Sequence, residues 1–507
     1  MKHVAMILAA SCSIAVPYEI GAQTRDGHVQ FNITGVTHYD PAELLGFASH
    51  LVLERTGRTS IGDLAQTVET IYLEDGYFLA EVFIADDGHT LVVDEGEIGT
   101  LSIEGVDADT ARLIRAYMSP VVAKRGVTLK EFERAIMLVE DIESVTASAE
   151  FDYPPGQAHA HARIVAEAVD TRFGSVTLDH PSREIGETLT LSLSQTYLSA
   201  LTPGDLLRFD LAGNAGYDGE SSSLWGAATY RLPLGGSGAF AEGYLGTVTA
   251  ERDASGALQQ TDILGHTALL ALGYPVVRDV ETYGYGLLEL RRSSSDVDVE
   301  GQSFDSTVDA VSAGWIFGKA LETGGAYEYA LNLTHGRQRD DSGAQTDGDE
   351  TFSYLRFGFG YEHPVGWFGP DSTVRAELWG QASSDQLPSI EEFHLGGRWD
   401  ERGYLFAEAQ GDSGYSATLE VSRDLFPGGG TVQRLRPYGF VDIGRVSNND
   451  ATGDEAGDIE LASLGLGLDL EFSGGFLART YVATPLKDGA DTEAGDPALY
   501  LGLTKSW

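Results

Sequence analysis

The sequence predicts a membrane β-barrel of about 16 antiparallel strands preceded by two small α+β domains, and three observations carry that prediction. From Thr171 to Trp507 apolar and polar residues alternate with a period of two over segments of about ten residues. Between Val29 and Asp170 one order of elements, strand, helix, helix, strand, strand, occurs twice. Downstream of an apolar N-terminal stretch, no run approaches the roughly 18 uninterrupted apolar residues that a spanning helix needs. A chain of this kind enters lipid only as a closed barrel, the other arrangement that satisfies every backbone donor and acceptor.

The N-terminal stretch MKHVAMILAASCSIAVPYEIGA has a short basic start, an apolar run and a small-residue end. It reads as a signal peptide over residues 1–22, cut after Ala22. A lipid-modified Cys12 is disfavoured, because Ala9 stands where a large aliphatic residue would be expected. Cys12 is the only cysteine, so no disulfide framework is expected in the mature chain. The 507 residues carry 33 Lys and Arg against 77 Asp and Glu, a formal charge of −44. That balance excludes nucleic acid as a partner. Twenty-two Tyr and 21 Phe among 62 Gly argue against a disordered acidic chain.

In the first module VQFNITGV is a strand, and DPAELLGFASHLV opens a helix with Asp40 as N-cap and Pro41 at the first position. A second helix carries Leu64, Val68, Ile71 and Tyr72 at helical spacing and stops at Asp75-Gly76-Tyr77. A hairpin follows around Asp86-Asp87-Gly88. The second copy has the strand GTLSIEGV, the helix ADTARLIRAYM, a helix with Leu129, Phe132, Ile136 and Val139 on one face, and two strands around Pro154-Pro155-Gly156. His159 and His161 alternate on its last strand, but no third ligand lies near, so a solvated face is expected rather than a metal site.

In the second half Leu464, Leu466, Leu468, Leu470 and Phe472 share one face while Gly465, Gly467, Asp469 and Glu471 share the other. Leu189, Leu191 and Leu193, then Val374, Ala376 and Leu378, then Ala417, Leu419 and Val421 repeat the pattern. Short connections such as RLPLGGSG and YPVVRD contrast with long polar ones such as RDASGALQQTD, GRQRDDSGAQTDGDETF and SNNDATGDEAGDIE, the asymmetry of an outer-membrane barrel. Strands of about 9–11 residues with connections of similar length make roughly 16 strands from the last two thirds of the chain. The end, LYLGLTKSW, places Leu499, Leu501, Leu503 and Trp507 in one parity and resembles the C-terminal signal of such barrels. Lys505 interrupts the series near the end, where a long side chain can snorkel.

The two modules resemble POTRA domains, and YLEDGYFLAEVFIA with LVVDEGEIGTLSIEGV is similar to the first POTRA of two-partner secretion transporters (TpsB, the ShlB/FhaC/HecB family). TRFGSVTLDHPSREIGETLTLSLSQTYLSALTPGDLL resembles the start of that family's barrel, with Gly186 and Gly204-Asp205, although His180 stands where asparagine is usual. EEFHLGGRWDERGYLFAEAQGDSGYSATLEV resembles its long sixth loop, with Gly396, Gly397, Gly411, Asp412 and Gly414 as the loop motif and Arg402-Gly403-Tyr404 at the tip. Glu401 replaces the usual valine there. RPYGFVDIGRV resembles the companion strand motif, with Phe440, Asp442 and Gly444.

The resemblance implies 16 strands and an organisation of POTRA 1 over 23–97, POTRA 2 over 98–170 and a barrel over 171–507 with a lumenal loop at 387–414. It implies periplasmic POTRA domains that take up an unfolded secreted exoprotein of the haemolysin or adhesin type by strand addition, and a pore that exports it. Outer-membrane lipid, lipopolysaccharide and the barrel assembly machinery are the other implied partners; no cofactor or metal is. The family usually places a plug helix before the first POTRA. Here only Gln23–His28 precede it, which implies closure by the loop alone or a different gate.

The chemistry of the tip follows from parity as well. Val441 and Ile443 face lipid, so Phe440, Asp442 and Gly444 face the lumen, where a carboxylate invites a cation. Arg402 is the natural guest, with Gly403 allowing close backbone approach and Tyr404 expected to pack against Phe440. At about 4 Å and an effective dielectric near 20 the attraction is about 4 kcal/mol before desolvation. That is strong enough to hold a gating loop and weak enough to release it.

Gly411-Asp412-Ser413-Gly414 spells a protease nucleophile segment, but no histidine segment accompanies it, so a turn is expected. Asp340, Asp341, Asp347, Asp349 and Glu350 match no calcium-loop spacing and read as a solvated tip. No catalytic set emerges, which excludes a soluble hydrolase, and a passive porin leaves the POTRA pair without a role. An insertase resembling BamA or TamA is the alternative, but those carry more POTRA modules.

Overall fold

The computed structural model describes residues 31–152, 159–180, 188–216, 221–252, 260–340, 348–426, 430–449 and 458–507. The stretch assigned to the signal peptide, Pro154-Pro155-Gly156, Gly186, Asp341 and Asp347 lie outside them, as do the middles of the long polar connections.

The first α/β unit contains strand Asn32–Thr34, helices Pro41–Thr56 and Ile61–Glu74, and strands Glu81–Ile84 and Thr90–Asp94. The Asp40 carboxylate accepts the N–H of Ala42 at 2.9 Å and of Glu43 at 3.0 Å, which starts the first helix where the sequence places it. Leu44, Ala48 and Val52 from that helix meet Leu64, Val68 and Tyr72 from the second, over Leu91 and Val93 of the central strand. Thr90–Asp94 pairs parallel with Asn32–Thr34 and antiparallel with Glu81–Ile84, so Glu81–Ile84 is an edge strand.

The second unit repeats the plan with strand Ile98–Glu104, helices Ala108–Met118 and Leu129–Glu140, and strands Val145–Asp152 and Ala160–Ala168, the last in the middle of its sheet. Thr128 and Glu131 form a reciprocal capping box. Phe132, Ile136 and Val139 are buried as their spacing predicts, against Ile98, Ile114, Met118 and Ile164. The His161 ring nitrogens meet the hydroxyls of Thr100 at 2.6 Å and Ser102 at 3.0 Å, the arrangement of a structural side chain on a strand face.

Glu95 ties the first unit together. Its fully buried carboxylate accepts the N–H of Thr37 at 2.6 Å and of His38 at 3.1 Å and the hydroxyl of Tyr72 at 2.9 Å, and faces Arg125 at 3.2 Å. Burial alone would raise its pKa. The hydrogen bonds from Thr37, His38 and Tyr72 outweigh burial and hold it at about 2. A depressed carboxylate contributes stability that is complete above the ordinary value of 4.5 and is lost as pH falls from there toward 2. Calorimetry of the full chain should show the α/β transition weakening over that window. Glu95→Gln should flatten this dependence and cost about 3 kcal/mol at neutral pH, because donors aimed at a carboxylate would meet an amide.

The rest of the chain forms a closed barrel of 16 strands, from Arg172–His180 to Ala498–Ser506, with every neighbour antiparallel. Closure pairs the last strand with the first, from Leu501 opposite His180 to Ser506 opposite Ser175. Trp507 extends the seam by exchanging backbone hydrogen bonds of 3.0 Å with Gly174, and its indole N–H donates to Gln195 Oε1 at 3.2 Å. Leu501 and Leu503 face outward, as do Leu464 and Leu466, while Ser463 and Asp469, of the opposite parity on the strand of Leu464, are buried.

The stretch YPVVRD is not a turn: the strand Thr261–Arg278 continues through it, and the chain reverses at 279–281. Tyr274 and Val276 keep the outward parity of Leu270 and Leu272. Pro275 is tolerated near the strand end, past the last partners Gly273 and Phe240 in the register with the preceding strand, where a missing donor matters least. In the other short connection the turn is confined to 235–238. Gly204-Asp205 also closes a turn, where the Asp205 carboxylate accepts the N–H groups of Ala200, Leu201 and Thr202 and the Tyr230 hydroxyl at 2.6–3.0 Å.

Candidate functional site

Between strands Ser372–Ser383 and Ser413–Arg423 the chain leaves the barrel wall and fills the lumen. The segment is shorter than the predicted 387–414 at its far end, because Ser413 and Gly414 already belong to the wall. A small hairpin, Phe393–Leu395 paired with Ala409–Gly411, carries the tip. Gly396 and Gly397 at its bend have φ of +94° and +125°, conformations open to glycine.

The tip places Arg402 against Asp442 in a two-pronged ion pair, Nε to Oδ2 at 2.9 Å and Nη2 to Oδ1 at 2.8 Å. The Arg402 backbone N–H also donates to Asp442 Oδ2 at 3.2 Å, and Nη1 reaches Glu420 at 3.2 Å. Asp442 is fully buried and Arg402 is 8% exposed, so the pair escapes the solvent screening that leaves a surface pair worth about 0–1 kcal/mol. Thr418 Oγ1 at 2.9 Å and Ser463 Oγ at 3.4 Å donate to the remaining lone pairs of Asp442.

Phe440 and Tyr404 do not pack on each other, which corrects the sequence expectation. The Arg402 guanidinium lies 3.4 Å from the centre of the Phe440 ring and takes that face by a cation–π contact. Phe440 also meets Tyr481 edge-on at 5.8 Å and Tyr438 at 6.2 Å. Tyr404 instead joins Leu395, Ala409, Val446 and Leu461, and its hydroxyl bridges the carbonyls of Ala462 and Lys487, each at 2.8 Å. Gly403, at φ +101°, turns the backbone between these two directions with Ala483 and Pro485 close by.

Glu401, the departure from the expected valine, is fully buried. Its Oε2 accepts the Gly396 N–H at 2.9 Å, and its Oε1 lies 2.2 Å from where a Cβ on Gly444 would stand. Gly444 is thus the space into which the acid folds. Asp412 accepts the N–H of Leu387 at 2.5 Å and of Asn449 at 2.6 Å, which fastens the base of the loop. Ser413 exchanges hydrogen bonds with the Ser383 backbone, a wall contact with no nucleophilic arrangement.

Three further anchors escaped the sequence reading. Glu391, fully buried, accepts Arg291 Nη2 at 2.8 Å and the Tyr354 hydroxyl at 2.7 Å, while its carbonyl accepts Arg356 and Gln381. Arg398 pairs with Asp179 on the first barrel strand. The Glu408 carboxylate accepts the N–H of Asp491 and Thr492 at 2.7 and 2.8 Å and the Thr492 hydroxyl at 2.9 Å. The lumenal parity of Arg291, opposite to that of the outward Leu288 and Leu290, was a signal for one of them. Its partner, 100 residues away, was not.

Residues 174–470 match the family described as haemolysin secretion/activation protein ShlB/FhaC/HecB. The fold is similar to CdiB from Escherichia coli, at 18% identity and a TM-score of 0.73 over 98% of this chain and 93% of that one. It is also similar to CdiB from Acinetobacter baumannii, at 14% identity and 0.72 over 97% and 94%. BamA from Haemophilus ducreyi lacking POTRA domains 1–3 aligns at 14% identity and 0.53 over 94% and 99%. No curated protein matches the sequence. The family is one of transporters rather than a class of enzymes. The closed 16-strand barrel and the α/β region consistent with POTRA domains agree with it, and the chain belongs to the ShlB/FhaC/HecB family of two-partner secretion transporters of the outer membrane.

Proposed function

We propose that the chain exports a large unfolded exoprotein of the haemolysin or adhesin type through its barrel, with the Arg402–Asp442 pair setting the state of the lumenal loop. Residues 23–97 and 98–170 are then POTRA domains in the periplasm that receive the substrate, and 171–507 is the pore. The single observation that carries this reading is a loop inside a closed barrel, held by a bidentate ion pair whose loss requires no covalent change.

The edge strand Glu81–Ile84 supports the receiving role. It has one paired side, and its own Phe83 and Ile84 are exposed, a surface suited to an added strand. Leu501, Leu503 and Trp507 are read as the signal by which the barrel assembly machinery takes up the chain, and the outward leucines as the contact with outer-membrane lipid. Photocrosslinking tests the route. A crosslinker at Phe83 and another at Glu420, beside the tip, should each capture the same exoprotein stalled during export. Capture at neither position, with export intact, would refute the route.

A further inference from the structure

A charged cluster on the outer wall of the barrel plays no part in the loop or the lumen. On the adjacent strands Thr282–Val299, Gln302–Ala320 and Ala326–Asp340, Arg292, Asp309 and Arg337 form one outward row. Arg339 stands one step beyond it. Leu290, Val311 and His335 form the row on the other side, followed by Leu288, Ala313 and Leu333. Arg292 donates to Asp309 through Nε at 2.6 Å and Nη2 at 2.9 Å, and Arg339 Nη2 reaches the same carboxylate at 2.7 Å. Arg337 meets Glu350 at 2.5 Å, and a His335 ring nitrogen meets the Ser353 hydroxyl at 2.9 Å.

The height of this cluster follows from strand geometry. Trp315, Phe317, Tyr327 and Tyr329 lie toward the other end of the same strands, with Phe317 stacked on Tyr329 at 5.2 Å. Tyr327 and Arg337 are ten residues apart on one strand, about 33 Å along it. At a tilt near 40° that is about 25 Å of height, the thickness of an apolar band. An aromatic girdle therefore marks one interface and the guanidiniums mark the other. Charges on the lipid face are tolerated there and costly at the midplane.

Beneath the arginines a groove of about 640 Å³ is floored by Leu270, Leu290 and Val311 and rimmed by Arg292, His335 and Arg337. Three guanidiniums, each with five N–H donors in a fork suited to phosphate, are paired with two carboxylates, Asp309 and Glu350, while Asp296 and Asp305 stand opposite each other one row beyond Arg339 toward the strand ends. We propose that this groove binds a phosphorylated, multiply acylated glycolipid of the outer leaflet, its phosphate on Arg292, Arg337 and Arg339 and one acyl chain in the groove. The site rests on the orientation given above, in which the long connections lie outside the cell.

The test uses the full chain purified in detergent, with lipid retention read by native mass spectrometry. Bis-phosphorylated lipid A should be retained at least tenfold more than dephosphorylated lipid A or phosphatidylglycerol. The triple variant Arg292→Gln/Arg337→Gln/Arg339→Gln should lose that preference, and Asp309→Asn, which removes the carboxylate nearest the phosphate, should strengthen retention. Equal retention of the three lipids by the wild-type chain, or an unchanged preference in the triple variant or in Asp309→Asn, overturns the site. Labelling of Arg337→Cys by an impermeant maleimide on intact cells tests the orientation separately. Labelling supports it; failure to label removes the outer-leaflet ligand whatever the binding result.

Discussion

Arg402→Ala should reduce export of the secreted partner by at least about tenfold while leaving a barrel that still assembles, measured as partner in the medium against heat-modifiable barrel in the membrane. The size follows from what the substitution leaves behind. Asp442 is fully buried and would keep as donors the backbone N–H of residue 402, Thr418 and Ser463, none of which carries a charge. Breaking a buried ion pair by removing one partner typically costs about 3–5 kcal/mol, because the other charge stays uncompensated. The Phe440 ring face would lose its guanidinium at the same time.

Arg402→Lys should be intermediate. It keeps the charge but loses the two-pronged geometry and the planar stack. Asp442→Asn should hurt less than Arg402→Ala, since Arg402 retains Glu420 at 3.2 Å. The wall itself does not depend on the tip, because its strands are paired around the full circle. Normal export by Arg402→Ala would refute the role given to the pair.

How much of this was legible in the sequence depended on the range of the interaction. The barrel was readable because a strand turns alternate residues to opposite faces, and lipid on one face leaves no other place for Leu464, Leu466, Leu501 and Leu503. The first helix was readable because Asp40 and Pro41 act within one turn. Arg402 and Asp442 could be matched because parity put a carboxylate in the lumen and the loop offered a flanked arginine. Tyr404 was misplaced by the same reasoning. Parity gives the face of a wall residue but not which of two neighbouring loop side chains will lie on it, and the guanidinium, already drawn to Asp442, took the Phe440 ring. Glu391 with Arg291, and Glu408 with the backbone at 491–492, depend on where a folded loop comes to rest, and no local pattern encodes that.

Those hidden anchors determine what removing Arg402 does to the pore. Single-channel conductance of Arg402→Ala should stay near the wild-type level, while Glu391→Ala/Arg402→Ala should open a markedly larger pore. The loop is held at Glu391, Arg398 and Arg402 by residues on different strands of the wall, and at Glu408 by the connection at 491–492. Moving a two-state equilibrium from 1:99 to 99:1 takes about 5.5 kcal/mol. One anchor worth about 3–5 kcal/mol falls short of that if the others hold, so a loop with a loosened tip stays in the lumen and obstructs it. Losing Glu391 also leaves Arg291 and Tyr354 without their shared acceptor, Arg291 standing six strands around the circle from Asp442. The two losses act near the start of the loop and at its tip, on separate partners, and should add, bringing the total to roughly 6–10 kcal/mol and past the point where the loop leaves. A double variant that conducts like the wild type would mean that Arg398 and Glu408 alone hold the loop. A single Arg402→Ala variant that already conducts fully would mean that the tip alone holds it.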